Sequence, residues 1–226
     1  MKRFYKSVGV QRAGSNFAVT LDGRTVKTPG GEVMVVHSPG LADAIAGEWA
    51  QQETEIDLDK MHLTRLATAA VDSARADIAA RLIKLARSDL LFYRAAEPKE
   101  LVERQERAWE MPLIWMRVRY GATFKTGMGI GFIEQPPDAI AAIEQALSQW
   151  DMYGLVARNA AAGILGSVVL VFAMADGKLD AASAFAAAHI DETFQAEKWG
   201  EDREARKRLD LLLRELEGAE TFLRLL

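Results

Sequence analysis

Cysteine is absent from this chain of 226 residues, and histidine occurs only three times. Without cysteine there is no disulfide framework, no thiolate nucleophile and no cysteine-based zinc site. His37, His62 and His189 are too widely scattered for their spacing to predict a metal site. The lack of cysteine fits a reducing compartment, and we expect no metal and no cofactor.

A long hydrophobic run is also missing. The longest apolar stretch, residues 160–175, spans 16 residues and contains two glycines. It is shorter than the roughly 20 residues that a membrane-crossing helix requires, so a buried helix is expected there. Residues 1–5 lead directly into a strand-like segment without the apolar stretch of a secretory signal. We therefore expect a cytoplasmic protein that does not insert into membranes.

No excess of basic charge is present. The chain has 28 Lys and Arg against 32 Asp and Glu, a net charge of −4, and the basic residues are interleaved with acidic ones. Nucleic-acid binding needs clustered Lys and Arg to contact phosphates, so nucleic acid is not an expected partner. With 50% hydrophobic and 27% charged residues, the composition is that of an ordinary folded protein.

The first forty residues carry the pattern of short β-strands. Apolar side chains alternate along residues 17–21, and Asp22-Gly23 follows directly. Asp-Gly favours a tight type I′ hairpin turn, because both central residues of that turn have positive φ. Further strands are predicted over residues 4–10, 25–27 and 32–36. A small antiparallel β domain is therefore expected at the N-terminus.

After residue 40 the periodicity becomes helical. Ser38-Pro39 is typical of an N-cap followed by proline at the first helical position, and Asp180 is a second candidate N-cap. The expected fold class is α+β, with a β domain over residues 1–40 and a larger all-helical domain over residues 41–226. We further expect Pro112 to interrupt a helix, and single helices over residues 155–175 and 181–199.

Few residues suggest catalysis. His189 and Glu192 lie three positions apart on a predicted helix, but one such pair is a weak metal signature. The glycine-rich segment 121–135 lacks the glycine spacing of nucleotide-binding loops, and no serine lies in a Gly-x-Ser-x-Gly elbow. A small-molecule- or metal-binding helical enzyme built on His189, Glu192 and this loop remains the alternative. The residues favour a binding protein that is not an enzyme.

Ordered segments along nearly the whole chain resemble a family of assembly chaperones for the catalytic head of ATP synthase, the branch that binds the α subunit. The matching residues are Arg3-Phe4-Tyr5-Lys6, Leu21-Asp22-Gly23-Arg24, Lys27-Thr28-Pro29, Leu41-Ala42, Ala44-Ile45-Ala46, Glu48-Trp49, Leu63-Thr64-Arg65-Leu66-Ala67, Asp72, Asp89-Leu90-Leu91, Tyr93-Arg94-Ala95, Pro98, Leu101, Gln105, Trp109, Asp191-Glu192, Phe194-Gln195, Trp199-Gly200 and Asp202. Each motif is modest alone, and their order makes the resemblance specific.

The resemblance implies a chaperone that acts without turnover. It would bind the new α subunit, shield the surface meant for the β subunit, and leave when the β subunit arrives. Exposed subunit interfaces are aggregation hazards before assembly, which gives such shielding a physical purpose. The resemblance also implies a bacterial, cytoplasmic member, since eukaryotic relatives carry a mitochondrial targeting extension. We expect the free protein to be monomeric.

The expected client-binding residues lie near the C-terminus. They combine acids with an aromatic side chain at a predicted helix end, and they coincide with a motif of the resemblance: Glu192, Gln195, Trp199, Glu201 and Asp202. The alternative is that Trp199 and Gly200 end and pack a helix, with Glu192 as a structural ion-pair partner. Packing is the favoured interpretation of Trp199.

Overall fold

A computed structural model describes residues 1–200 and 202–226. The N-terminal part is an antiparallel sheet whose central strand, β2, pairs with each of the other three strands. These strands are β1 (Val8–Ala13), β2 (Asn16–Leu21), β3 (Arg24–Thr25) and β4 (Val35–Val36). Helices make up most of the remaining chain, which confirms the predicted α+β fold class.

The hairpin between β2 and β3 has the predicted type I′ turn. Asp22 and Gly23 both have positive φ, at 48° and 78°. The carboxylate of Asp22 accepts the backbone N–H groups of Ser7 and Lys6, which lowers its pKa. This contact also explains why β1 begins at Val8 instead of residue 4, since those two N–H groups bond to a side chain and not to a neighbouring strand.

The described part of the chain forms ten α-helices. They are α1 (Pro39–Ala50), α2 (His62–Asp72), α3 (Arg75–Ala86), α4 (Lys99–Tyr120), α5 (Pro137–Ser148), α6 (Met152–Leu165), α7 (Val168–Ala175), α8 (Ala181–Ala188), α9 (Ile190–Trp199) and α10 (Arg203–Leu225). Short 3₁₀ turns cover Leu58–Lys60 and Leu90–Phe92, and β5 (Tyr93–Arg94) pairs with β6 (Gly127–Met128) in parallel. Ser38 and Asp180 cap α1 and α8 as predicted.

The predicted interruption at Pro112 is wrong, because α4 runs unbroken from Lys99 to Tyr120. A proline inside a helix removes one backbone hydrogen bond and crowds the preceding turn. Here Pro112 lies on the buried stripe of α4, together with Trp109 and Met116. Burial of this stripe against the core offsets the local cost of the proline.

Two helices that were predicted to be continuous are each divided in two. The stretch 155–175 breaks at Gly166, which has φ of 60°, and Ser167, whose hydroxyl caps α7 by accepting the N–H of Leu170. The stretch 181–199 breaks at His189, whose backbone leaves the helical region between α8 and α9. In both places the first helix ends and the second begins two or three positions later.

Helix α7 lies at the centre of the molecule, with every residue from Val168 to Met174 buried. It contacts α3, α4, α6, α8 and α10. Buried side chains of the sheet belong to the same continuous hydrophobic cluster as those of the helices. The boundary at residue 40 stays a prediction. Within the described residues, no helix is both long and apolar enough to span a membrane.

The buried carboxylate of Asp89 fixes the start of α7. One carboxylate oxygen accepts the N–H groups of Val168 and Val169 at 2.6 and 3.1 Å, and the other accepts the N–H of Leu91 at 3.0 Å. Asp89 is 0% exposed, and this burial raises its pKa to about 6 although the donors act to lower it. A single side chain therefore joins the turn before β5 to the N-terminus of the central helix.

Replacing Asp89 with Ala should strongly destabilise the protein. The change leaves three buried N–H groups without an acceptor, and each such group costs about 1–3 kcal/mol. We expect the free energy of unfolding, measured by urea denaturation, to fall by at least ~3 kcal/mol. Asp138, exposed in the first turn of α5, is the matched control. If Asp89→Ala costs no more than Asp138→Ala, the importance given to this carboxylate is wrong.

The raised pKa of Asp89 also predicts a pH dependence. Between about pH 4 and pH 6 the folded protein keeps this proton while the unfolded chain, with an ordinary pKa, releases it. The contribution of Asp89 to the free energy of unfolding should therefore fall as the pH rises through this window and then level off. Denaturation curves of wild type and Asp89→Asn should differ in this slope. Parallel pH profiles for the two proteins would contradict the prediction.

Candidate functional site

Helix α9 presents three of the predicted site residues on one face. Glu192, Gln195 and Trp199 are separated by three and four positions, a spacing that places side chains on the same side of a helix. All three are exposed, and Trp199 retains 79% of its accessible surface. We call these three residues the α9 outer face.

Contacts on the opposite side of α9 hold this face outward. Phe194 is the buried residue of the helix, and the Arg104 guanidinium and the Lys198 ammonium both lie over its ring. Glu197 forms an ion pair with Arg104 at 2.8 Å, and Lys198 forms one with Glu100 at 3.0 Å. These contacts tie α9 to the first turns of α4, so the outer face cannot turn inward without breaking them.

The start of α9 is fixed by Gln105 of α4. Its side-chain N–H donates to the carboxylate of Asp191 at 2.8 Å, and its side-chain carbonyl accepts the N–H of Ala95 at 2.8 Å. Gln105 is only 1% exposed, so both bonds are shielded from water. The same side chain therefore positions α9 and the segment that contains β5.

Packing does not explain Trp199, so the favoured interpretation of this residue is wrong. A packed tryptophan in this protein looks like Trp109, which is 1% exposed and donates its indole N–H to the carbonyl of Ala187 at 2.7 Å. Trp199 instead projects from the last turn of α9, just before Gly200 ends the helix with φ of 97°. Its indole is therefore accessible to solvent.

Glu192 takes part in only loose ionic contacts. Its carboxylate lies 3.8 Å from Nε2 of His189 and 3.9 Å from Nη2 of Arg208, and the side chain is half exposed. Exposed pairs at such distances contribute little to stability. The carboxylate is therefore accessible to a partner, and a purely structural role as an ion-pair partner is not needed to explain it.

Asp202 lies three positions after Trp199, at the start of α10. It is exposed and caps α10, because its carboxylate accepts the N–H of Glu204 at 3.0 Å. Glu201, another predicted site residue, lies outside the described residues. The outer face of α9 and the exposed cap of α10 thus follow each other directly in sequence.

His189, a residue of the alternative enzyme site, is buried at the bend between α8 and α9. His189 is 8% exposed, its Nδ1 lies 2.9 Å from the carbonyl oxygen of Phe185, and its ring stacks on that of Phe185. Over residues 1–200 and 202–226, no three His, Cys, Asp or Glu side chains are grouped so as to hold a metal ion. The contacts of His189 are those of a residue that shapes the bend between α8 and α9.

Sequence reasoning missed the exposed tip of the glycine-rich segment. Met128, Ile130 and Phe132 are 76%, 100% and 73% exposed. The sequence did contain a signal for this exposed tip. Glycine alternates with large apolar residues over 127–132, a pattern without the helical period that would bury those residues on one face.

Three comparisons with known proteins all find similarity to Atp12 proteins. Residues 2–117 match the family described as ATP12 chaperone protein. The crystal structure of Atp12 from Paracoccus denitrificans is similar with a TM-score of 0.92, 33% identity, and coverage of 99% of this chain and 97% of that one. The crystal structure of the Atu1473 protein from Agrobacterium tumefaciens is similar with a TM-score of 0.95, 34% identity, and coverage of 99% and 85%.

A mitochondrial protein, atp12 of Schizosaccharomyces pombe, is 23% identical over 222 residues, which covers 88% of this chain and 74% of the yeast protein. Helix α9 lies beyond the range of the family match, but the structural matches include 99% of the chain. The similarity in fold therefore extends to the part of the molecule that carries the candidate site.

The contrast between the two tryptophans can be measured. Trp199→Ala should leave the melting temperature within about 1–2 °C of wild type, because exposed substitutions usually change stability by no more than about 0.5 kcal/mol. Trp109→Ala should cost about 3–5 kcal/mol, since it empties a buried site and orphans the carbonyl of Ala187. Unfolding of Trp199→Ala under conditions where wild type is folded would restore the packing interpretation.

Proposed function

Because this chain belongs to the ATP12 chaperone protein family, we propose that it is an assembly chaperone for the catalytic head of ATP synthase. Its client is the newly made α subunit, which it holds until the β subunit takes its place. Subunits of a ring expose apolar interfaces before they meet their neighbours, and a chaperone that covers such a surface suppresses aggregation. The protein binds and releases its client without a chemical reaction.

The exposed indole of Trp199 is the observation from which we propose that the α9 outer face is the client-binding surface. Aromatic side chains at the centre of interfaces supply much of the binding free energy, because they bury a large area with little loss of side-chain freedom. Trp199 keeps 79% of its surface accessible on a helix whose opposite side contacts α4 through Phe194 and two ion pairs. It is available as an anchor without any rearrangement of α9.

The carboxylates near Trp199 can orient the client as it binds. Glu192 shares the α9 outer face with Trp199, and Asp202 follows at the cap of α10. Charged groups around an apolar anchor steer association and reject wrong partners more than they add affinity. We propose that Glu192, Gln195, Trp199 and Asp202 contact the α subunit, together with Glu201, and that the partner surface carries basic groups.

Release needs no nucleotide. The β subunit competes for the same surface of the α subunit, so its arrival lowers the fraction of the client bound to the chaperone by mass action. We propose that this exchange takes place in the cytoplasm of a bacterium, where both subunits are made, and that the chaperone is monomeric before it binds.

Reversal of one charge on the α9 outer face tests the site. Glu192→Lys should weaken binding of purified α subunit at least tenfold, which is about 1.4 kcal/mol, because a carboxylate that faces basic groups becomes a repelling ammonium. Isothermal titration calorimetry measures this change. Glu217→Lys is the matched control, since Glu217 is exposed on α10 and the change in net charge is the same.

The same proteins test the function itself. Wild type should keep isolated α subunit soluble without nucleotide and should recover α subunit as its dominant partner from extract of the native cell. If wild type binds no α subunit, the proposed function is wrong. If wild type binds and folded Glu192→Lys binds equally well, the function stands and the role of Glu192 is refuted.

A further inference from the structure

A second exposed surface lies at the tip of the glycine-rich segment between α4 and α5. Its side chains Met128, Ile130 and Phe132 are 76%, 100% and 73% exposed, whereas Ile133 turns back to pack on the core. We call residues 127–132 the apolar finger. Three large apolar side chains with this exposure lie within five residues, and exposed apolar clusters commonly mark interaction sites.

The base of the apolar finger is closed by hydrogen bonds. Gln135, which is 6% exposed, accepts the N–H of Lys125 at 2.9 Å and donates to its carbonyl at 3.0 Å. On the other side, β6 pairs with β5, and the N–H of Gly129 donates to the carbonyl of Arg94 at 3.1 Å. The finger therefore projects from a fixed base, and its exposed side chains are presented to solvent by the fold.

The lack of charged side chains in the apolar finger indicates what kind of surface it can bind. Residues 126–133 contain no charged side chain, and the flanking charges of Lys125 and Glu134 are opposite. An anionic membrane surface attracts loops that combine apolar with basic residues, and a chain of net charge −4 lacks that attraction. Glycines at 127, 129 and 131 keep the finger narrow. These properties fit an uncharged apolar groove on another protein.

The finger and the α9 outer face are supported by the same side chain. Gln105 bonds to Asp191 at the start of α9 and to Ala95, next to the strand β5 that pairs with the finger. The α9 outer face and the apolar finger are therefore linked through one buried side chain of α4. Two contacts on one support strengthen binding, since the second forms at a high effective concentration once the first is made.

We propose that the apolar finger is a second client contact, which inserts Met128, Ile130 and Phe132 into an uncharged apolar groove of the ATP synthase α subunit. This inference rests on the proposed function. The α9 outer face anchors and orients the client with one indole and several carboxylates, and the finger covers apolar surface that would otherwise cause aggregation.

The first experiment replaces the three side chains together. The variant Met128→Ser, Ile130→Ser and Phe132→Ser should bind purified α subunit at least tenfold more weakly and suppress its aggregation less, with an unchanged melting temperature. The matched control is Met111→Ser with Val118→Ser, two apolar residues of α4 that are 67% and 71% exposed. The control should bind like wild type, which shows that the loss does not follow from lower surface hydrophobicity in general.

The absence of cysteine permits a direct test of contact. Ile130→Cys provides a single site for a benzophenone photocrosslinker, and Leu58→Cys, at a residue that is 53% exposed in the turn Leu58–Lys60, provides the control. Irradiation of the complex should crosslink the α subunit from position 130 and not from position 58. Peptide mapping should place the crosslink in an apolar segment of the client.

The outcomes separate this inference from the proposed function. If wild type binds no α subunit, the proposed function fails and the finger contact fails with it. If wild type binds, while the serine variant binds equally and position 130 gives no crosslink, the finger contact is refuted and the function stands. The finger contact is also refuted if the variant binds normally but loses flotation with phosphatidylglycerol vesicles, or loses self-association in analytical ultracentrifugation.

Discussion

The carboxylate of Asp89 determines where α7 begins, and the other helices are arranged around α7. Helix N-termini expose N–H groups that need acceptors, and inside a core no water can supply them. Asp89 meets this need for Val168 and Val169 and holds Leu91 with its second oxygen. A side chain about 80 positions away in sequence thus makes it possible to bury α7 on all sides.

Acidic side chains attach the sheet and α1 to the helical part in the same way. The carboxylate of Glu48 accepts the N–H groups of Leu63 and Thr64 at the start of α2. At the end of α2, Asp72 accepts the hydroxyl of Thr28 and the N–H of Gly30 from the segment between β3 and β4. Charge-assisted bonds of this kind are stronger than neutral ones, and they specify one arrangement of elements that hydrophobic burial alone would leave loosely defined.

Turns and helix caps that depend on neighbouring residues could be predicted from the sequence. Features that depend on contacts with residues far away in the sequence could not. The turn at Asp22-Gly23 and the cap at Ser38 need only their immediate neighbours, and both predictions are confirmed. The break at Gly166-Ser167 has local signals, a glycine with positive φ and a capping serine, which the predicted single helix passed over. The burial of the α7 N-terminus depends on Asp89, and the continuity of α4 through Pro112 depends on the packing of its buried stripe. Periodicity along the chain contains neither piece of information.

Several motifs of the family resemblance are explained by their contacts within the fold. Asp22, Glu48, Asp72, Asp89 and Gln105 bind backbone or side-chain groups of other elements, so their identity is explained by the fold.

Trp199 and the apolar finger have no such explanation, because their side chains remain in water and add nothing to the core. Leaving apolar surface exposed carries a solvation cost that a partner removes on binding. One buried glutamine, Gln105, bonds both to the start of α9 and to the residue that follows β5. Residues such as Gln105 thus help to position Trp199 and the apolar finger, which the fold itself does not need. The proposed binding function therefore belongs to Trp199 and the finger.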